Sequence, residues 1–186
     1  ETGETRTGHF TDICRYLRAG DILVLNETKV IPARLQGTRE TGGKAEIFLL
    51  QERGEGVWEA IGRPGKAFIP GRVLVIAGSL SARVATAPDE KGKFLVQFNA
   101  GREAVLAHGS MPLPPYIKRE AGTMDQDRYQ TIYAVAEGSV AAPTAGLHFT
   151  KEVLDALRNR GVEIATLVLH VGMGTFIPIK TRDIRR

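Results

Sequence analysis

Apolar and polar positions fall into two rhythms along the chain. Phe10, Ile13, Tyr16 and Leu17 recur at helical spacing, Thr11 stands where a cap belongs, and Gly20 can supply a left-handed residue at the end, so a short helix is expected there. The compact run Asp21-Ile-Leu-Val-Leu25, stopped by Asn26, predicts a buried strand. Asn26, Thr28 and Lys29 then stand at a strand's carboxyl end, where α/β sheets usually place ligands. From Leu35 to about Gly109 the character changes to short β-rich stretches at 45–50, 57–61, 73–76, 82–86 and 94–98. Turn signals separate them: Gly42-Gly43, Gly54 with Gly56, Pro64-Gly65, Pro70-Gly71 and Pro88-Asp89. Short strands at such regular intervals predict a small closed or half-closed β-barrel.

After the barrel the helical rhythm returns. Residues 102–108 predict a short helix, and Met111-Pro-Leu-Pro-Pro115 a stiff extended connector. Asp125 or Asp127 can begin a helix with Tyr129, Ile132 and Tyr133 on one face, whereas the Gly- and Ala-rich stretch 137–149 has no clear period. Thr150 caps a helix that turns Val153, Leu154 and Leu157 inward and stops at Gly161. A strand over 162–169 and a Gly-rich loop over 170–176 follow. The expected fold is therefore an α/β main domain with an inserted small β-barrel domain: 1–34 and 111–186 form the main domain and 35–110 the insert.

With 186 residues, 42% hydrophobic and 25% charged, the chain has the composition of a folded protein and not of a disordered tail, collagen or coiled coil. Its longest aliphatic run, Val73 to Ala77, is far below the roughly 20 residues of a membrane-spanning helix. Cys14 is the sole cysteine, so neither an internal disulfide nor a thiolate zinc cluster is expected, and a cytoplasmic setting is the default. The chain opens at Glu1 without a methionine or a secretory signal and stops where a new element starts, which suggests truncation at both ends.

The net charge of +4 permits nucleic-acid contact without demanding it. Arg63, Lys66, Arg72 and Arg83 fall in a segment without acids, and Lys180, Arg182, Arg185 and Arg186 face Asp183 alone. Each stretch is either a solvated basic face or a surface that meets phosphates. Gly37-Thr-Arg-Glu-Thr-Gly-Gly-Lys44 fails as a phosphate loop, because its lysine is one place late and Ala45 replaces the hydroxyl residue, and reads as a hairpin turn. Gly172-Met-Gly174 follows a strand but is itself followed by Phe176-Ile-Pro178, so no helix presents amides to a dinucleotide. His9, His108, His148 and His170 show no metal-ligand spacing, and no metal is expected. His148 and His170 border Gly-rich segments, as structural histidines or as titratable groups. No nucleophile elbow is present.

Four longer segments say more. Gly20-Asp-Ile-Leu-Val-Leu-Asn-Glu-Thr-Lys-Val-Ile-Pro-Ala-Arg-Leu35, Pro112-Leu-Pro-Pro-Tyr-Ile-Lys-Arg119, Ala141-Ala-Pro-Thr-Ala-Gly-Leu-His-Phe-Thr150 and Leu169-His-Val-Gly-Met-Gly-Thr-Phe176 closely resemble, in order, the signatures of the S-adenosylmethionine:tRNA ribosyltransferase-isomerase family of queuosine biosynthesis. The resemblance implies that the ribosyl unit of S-adenosylmethionine is transferred and isomerised onto 7-aminomethyl-7-deazaguanine at the wobble position of tRNA with a GUN anticodon. The products are epoxyqueuosine-tRNA, adenine and methionine. It implies no metal or redox cofactor, since S-adenosylmethionine is a co-substrate whose sulfonium acidifies the adjacent ribose C–H and leaves as a neutral thioether. A base must remove that proton, a group must assist adenine, and the aminomethyl nitrogen must attack uncharged. Mapped onto this chain, His148, His170 and Thr144 are the catalytic candidates, with His148 foremost. Asn26, Thr28, Lys29, Arg34, Gly172 and Gly174 are candidates for substrate binding, and Arg63, Lys66 and Arg72 for tRNA. A monomer without a membrane partner is the favoured expectation. The rival readings are a non-catalytic RNA-binding module built on the basic barrel, and a methyltransferase, which the missing helix after Gly174 disfavours.

Overall fold

The computed structural model describes residues 3, 5–114 and 116–176. The segment expected to form one helix near the amino end forms a 3-10 turn, Phe10–Asp12, and the single-turn α1 (Ile13–Tyr16). Its start is capped from inside: the Asp12 carboxylate accepts a hydrogen bond from the His9 N–H at 2.9 Å, and Thr11 takes no part. Gly20 (φ +92°) serves the turn into the next strand instead of the helix end.

The strands β1 (Ile22–Asn26) and β2 (Thr28–Val30) lead directly into β3 (Arg34–Arg39), β4 (Lys44–Gly54), β5 (Val57–Arg63), β6 (Val73–Ala77), β7 (Leu80–Val84) and β8 (Phe94–Phe98). The last six close into a barrel in the spatial order β3-β4-β5-β8-β7-β6. Period-two patterning is the cause: Ala45, Ile47 and Leu49, Trp58 and Ala60, Leu80, Ala82 and Val84, and Phe94, Val96 and Phe98 are all buried at alternate positions. Each fully buried aliphatic side chain stabilises the barrel by about 1.5–3 kcal/mol relative to leaving it in water. The sequence pattern shows five of these strands and misses β3, whose inward positions are Leu35 and Gly37. A glycine has no apolar side chain to mark an inward position, and Ile76 fills the space above Gly37.

The incoming and outgoing ends of the barrel lie side by side. The Arg34 N–H donates to the Ser110 carbonyl at 3.1 Å, and the Ser110 N–H donates back to the Arg34 carbonyl at 2.8 Å. Beyond it, α2 (Arg102–Ala107) forms as expected. The expected helix carrying Tyr129, Ile132 and Tyr133 is cut to one turn, α3 (Asp125–Arg128), leaving Tyr129 buried and Ile132 59% exposed. The cause is tertiary: Gln130 accepts from the Val30 N–H at 2.9 Å and donates to the Val30 carbonyl at 2.8 Å, standing in for a strand partner and straightening the chain.

Two parallel pairs complete the architecture. β9 (Ala136–Ser139) lies beside β2, and β10 (Glu163–Leu167) beside β1, with Ile22 opposite Glu163 and Asn26 opposite Leu167. Between them α4 (Lys151–Asn159) is capped by Thr150, whose hydroxyl accepts from the Val153 N–H at 3.3 Å. It packs Val153, Leu154 and Leu157 against Leu25, Phe149 and Val162. The apolar run of β1 reads as a fully buried strand, but only one face of the β1–β10 pair is covered by α4, and the opposite face leaves Ile22, Val24, Leu167 and Leu169 exposed. Among the described residues no helix is long and apolar enough to cross a membrane.

Candidate active site

The carboxyl end of β1 is built around one asparagine. The Asn26 carboxamide oxygen accepts from the Leu169 N–H at 3.0 Å and from the Thr28 N–H at 3.2 Å, and its NH2 donates to the Leu169 carbonyl at 2.9 Å. The side chain therefore replaces a backbone rung and holds residue 169. Residue 171 is held from the other side: its N–H donates to Ser139 Oγ at 2.9 Å, and its carbonyl accepts from the Val140 N–H at 3.0 Å. His170 is clamped between these two anchors. Its Nδ1 shares a 2.8 Å hydrogen bond with Oγ1 of Thr28, a fully buried residue. Its ring rests on Gly138, which has φ +147° and where a Cβ would come within 2.8 Å of Cε1 and Nε2. Only glycine tolerates both that conformation and that approach.

The ring opens on a cleft of about 660 Å³ between the barrel and the loop that follows β10. One wall is Gly138, Val140, Val171, Gly172, Met173 and Gly174; the other is Leu50, Gln51, Glu59, Ile61, Lys91 and Lys93. Such a volume with mainly apolar walls and a few polar groups suits a small organic molecule. On the barrel side the Lys93 ammonium donates to Glu59 at 2.7 Å, and Arg53 also donates to that carboxylate. These partners, Lys93 first and Arg53 second, hold the Glu59 carboxyl below its ordinary range despite some desolvation, so it stays ionised.

The other expected site residues are distributed as follows. Lys29 pairs with Glu137 at 3.2 Å at a second cleft of about 580 Å³, also bordered by Arg102 and Gln130. Lys29, and secondarily Arg102, pull the Glu137 carboxyl down in pKa. Arg34 begins the barrel, its buried Nε 3.7 Å from Glu46 and without a hydrogen-bond partner. Thr144 and His148 lie in the 3-10 segment Thr144–His148; both are exposed, and neither lines either cleft. The His148 ring instead packs on Phe10 with centroids 5.3 Å apart. Arg63 and Lys66 are exposed at the end of β5 and the turn beyond it, while Arg72 donates to the Lys66 carbonyl at 2.7 Å, so its charge fastens its own loop. Lys180, Arg182, Arg185 and Arg186 lie outside the described residues. Sequence reasoning passed over Gly138, Ser139, Glu59 and Lys91, which carry no motif of their own and enter the site only through packing. Among the described residues no group of three or more His, Cys, Asp or Glu is placed to hold a metal ion.

Residues 1–186 match the family described as queuosine biosynthesis protein. The S-adenosylmethionine:tRNA ribosyltransferase-isomerase of Moorella thermoacetica is 49% identical over 190 residues, covering 100% of this chain and 55% of that protein. The protein of the same name in Thermosipho africanus is 48% identical over 176 residues, covering 95% of this chain and 52% of the relative. A crystal structure of S-adenosylmethionine tRNA ribosyltransferase from Thermotoga maritima is 31% identical, covering 87% of this chain and 45% of that one, with a TM-score of 0.39. The chain spans about half the length of the curated relatives it matches.

Proposed function

The chain belongs to the queuosine biosynthesis protein family, and from that premise we propose that it is the part of a tRNA ribosyltransferase-isomerase that carries the proton-transfer group. The whole protein moves and isomerises the ribosyl unit of S-adenosylmethionine onto 7-aminomethyl-7-deazaguanine in tRNA and releases adenine and methionine. The observation that carries this reading is the His170 imidazole, clamped at both neighbours and opening on a cleft of small-molecule size.

A base in this reaction must take the ribose C–H proton next to the sulfonium. In the tautomer whose Nδ1–H donates to Thr28 Oγ1, the lone pair of His170 is on Nε2, the atom that then accepts that proton, and the proposed role requires that tautomer. Adenine then leaves carrying the proton the base has taken, the uncharged aminomethyl nitrogen forms the new bond to the ribosyl carbon chain, and the sulfonium leaves as the thioether of methionine. No redox partner is therefore required, and S-adenosylmethionine serves as a co-substrate. His170 is favoured over His148 because the latter lines neither cleft. Gly172 and Gly174 give the bound substrate room. Lys29 and Arg34, each already facing a carboxylate, are secondary binding groups. We read the barrel as an insertion in one α/β unit, supported by the pairing of β1 with β10 and β2 with β9 across it.

The test is product analysis with S-adenosylmethionine and tRNA carrying the aminomethyl base, in a protein of the relatives' full length that contains these residues. Adenine and methionine are expected; S-adenosylhomocysteine would mean methyl transfer, and tRNA binding without turnover would mean an RNA-binding module. His170→Gln is expected to cut turnover about 100- to 10,000-fold, as loss of a general base does, and His148→Gln to leave most of it. The reverse order would move the base to His148.

A further inference from the structure

The barrel wall of the cleft contains a cation that nothing described so far employs. In the β7–β8 connection the Asp89 carboxylate accepts from the N–H groups of both Lys91 and Lys93 at 2.8 Å, and Gly92 turns the chain between them with φ +76°. This tight turn sets both lysines at the cleft. Lys93 is committed to Glu59 at 2.7 Å. The Lys91 ammonium has no carboxylate partner among the described residues, although Lys91 lines the same cleft.

The facing loop shows what the space is for. A Cβ on Gly172 or Gly174 would meet nothing within 4 Å, and neither residue has a left-handed φ. Neither the packing nor the backbone of this fold requires glycine there, so the free space beside them is open to a ligand. Leu50, Ile61, Val140 and Met173 give that space apolar walls. A ligand fitting it has an apolar or planar body and an anionic end that meets Lys91.

We propose that Lys91 binds the amino-acid carboxylate of S-adenosylmethionine across the cleft from His170, so that the barrel helps to hold the small substrate as well as any RNA. A carboxylate is favoured over an RNA phosphate because the lysine, itself exposed, borders a cleft of about 660 Å³, a small-molecule volume, whose opposite wall carries His170 and the glycine loop. This rests on the proposed function for the identity of the substrate.

The experiment compares binding of S-adenosylmethionine and decarboxylated S-adenosylmethionine to the wild-type protein, Lys91→Gln and Lys91→Arg, by equilibrium dialysis. The decarboxylated compound keeps the sulfonium, ribose and adenine. Lys91→Gln is expected to weaken S-adenosylmethionine about 10-fold, the scale of one charge-assisted hydrogen bond at a partly exposed site. It should leave the decarboxylated compound unchanged, and Lys91→Arg should restore most of the loss. Equal effects on both compounds, or none, would overturn the assignment. So would a change confined to the salt dependence of tRNA binding, which would make Lys91 a phosphate contact. If the binding difference is present but the wild-type protein releases no adenine, the proposed function fails while the carboxylate contact stands.

Discussion

Placing a methyl group under His170 probes the site directly. In Gly138→Ala the new Cβ would stand 2.8 Å from Cε1 and Nε2, whereas ordinary contact begins at 3.4 Å, so the ring must retreat by about 0.6 Å. The backbone cannot absorb that shift easily, because Asn26 holds residue 169 and Ser139 with Val140 holds residue 171. The ring must rotate away and lengthen its bond to Thr28. A misplacement of about 1 Å can cost on the order of 100-fold in rate, so 0.6 Å corresponds to about 10-fold in kcat. Alanine at φ +147° also costs about 1–3 kcal/mol of stability. Two further variants separate the effects. Thr28→Val releases Nδ1 without backbone strain and is expected to lower kcat similarly, with a stability change of about 0.5–1.5 kcal/mol for the lost hydrogen bond. Gly172→Ala has open space for its methyl and is expected to match or exceed wild-type stability while weakening substrate binding. The assay is initial-rate adenine release per folded protein, with the His170 ring followed by NMR. Wild-type kcat in a folded Gly138→Ala protein would refute the claim that the ring's position matters to turnover.

Three other outcomes are expected. Arg119, aided by the Gly122 N–H, holds the Asp125 carboxyl at about 2, below its unfolded value of 3.8. The stability it confers is therefore complete above about pH 4 and is lost as pH falls toward 2; an NMR titration of Asp125 should show this, with Arg119→Ala moving the midpoint up. Thr150→Ala removes the cap of α4 and should cost about 0.5–1 kcal/mol in urea unfolding, the lower part of the usual range because the bond is long. Arg63→Ala and Lys66→Ala should each flatten the salt dependence of tRNA binding by about one unit of slope if the turn meets phosphate, whereas an unchanged slope would leave a solvated face.

Elements whose causes lie within a few residues were legible in the chain itself. The cap, inward face and stop of α4 are Thr150, Val153, Leu154, Leu157 and Gly161, and all act locally. Most of the barrel strands likewise announce themselves by alternation. Their closure into a ring depends on β3, whose inward glycine leaves no apolar mark and whose partner is a distant strand. The helix expected through Tyr133 shows the opposite case: a sound local rhythm was overridden because Gln130 satisfies the backbone of Val30, 100 residues away. At the site, Asn26, Thr28 and His170 were picked out by their motifs, but the hydrogen bond joining Thr28 to His170 spans 142 residues. Only folding brings that pair together, turns His148 onto Phe10, and carries Lys91 across to the glycine loop. Residue type and local rhythm are properties of neighbours in the chain. Which distant groups meet is decided by closing the barrel, burying its core and satisfying the backbone at its mouth, and those conditions exist only in three dimensions.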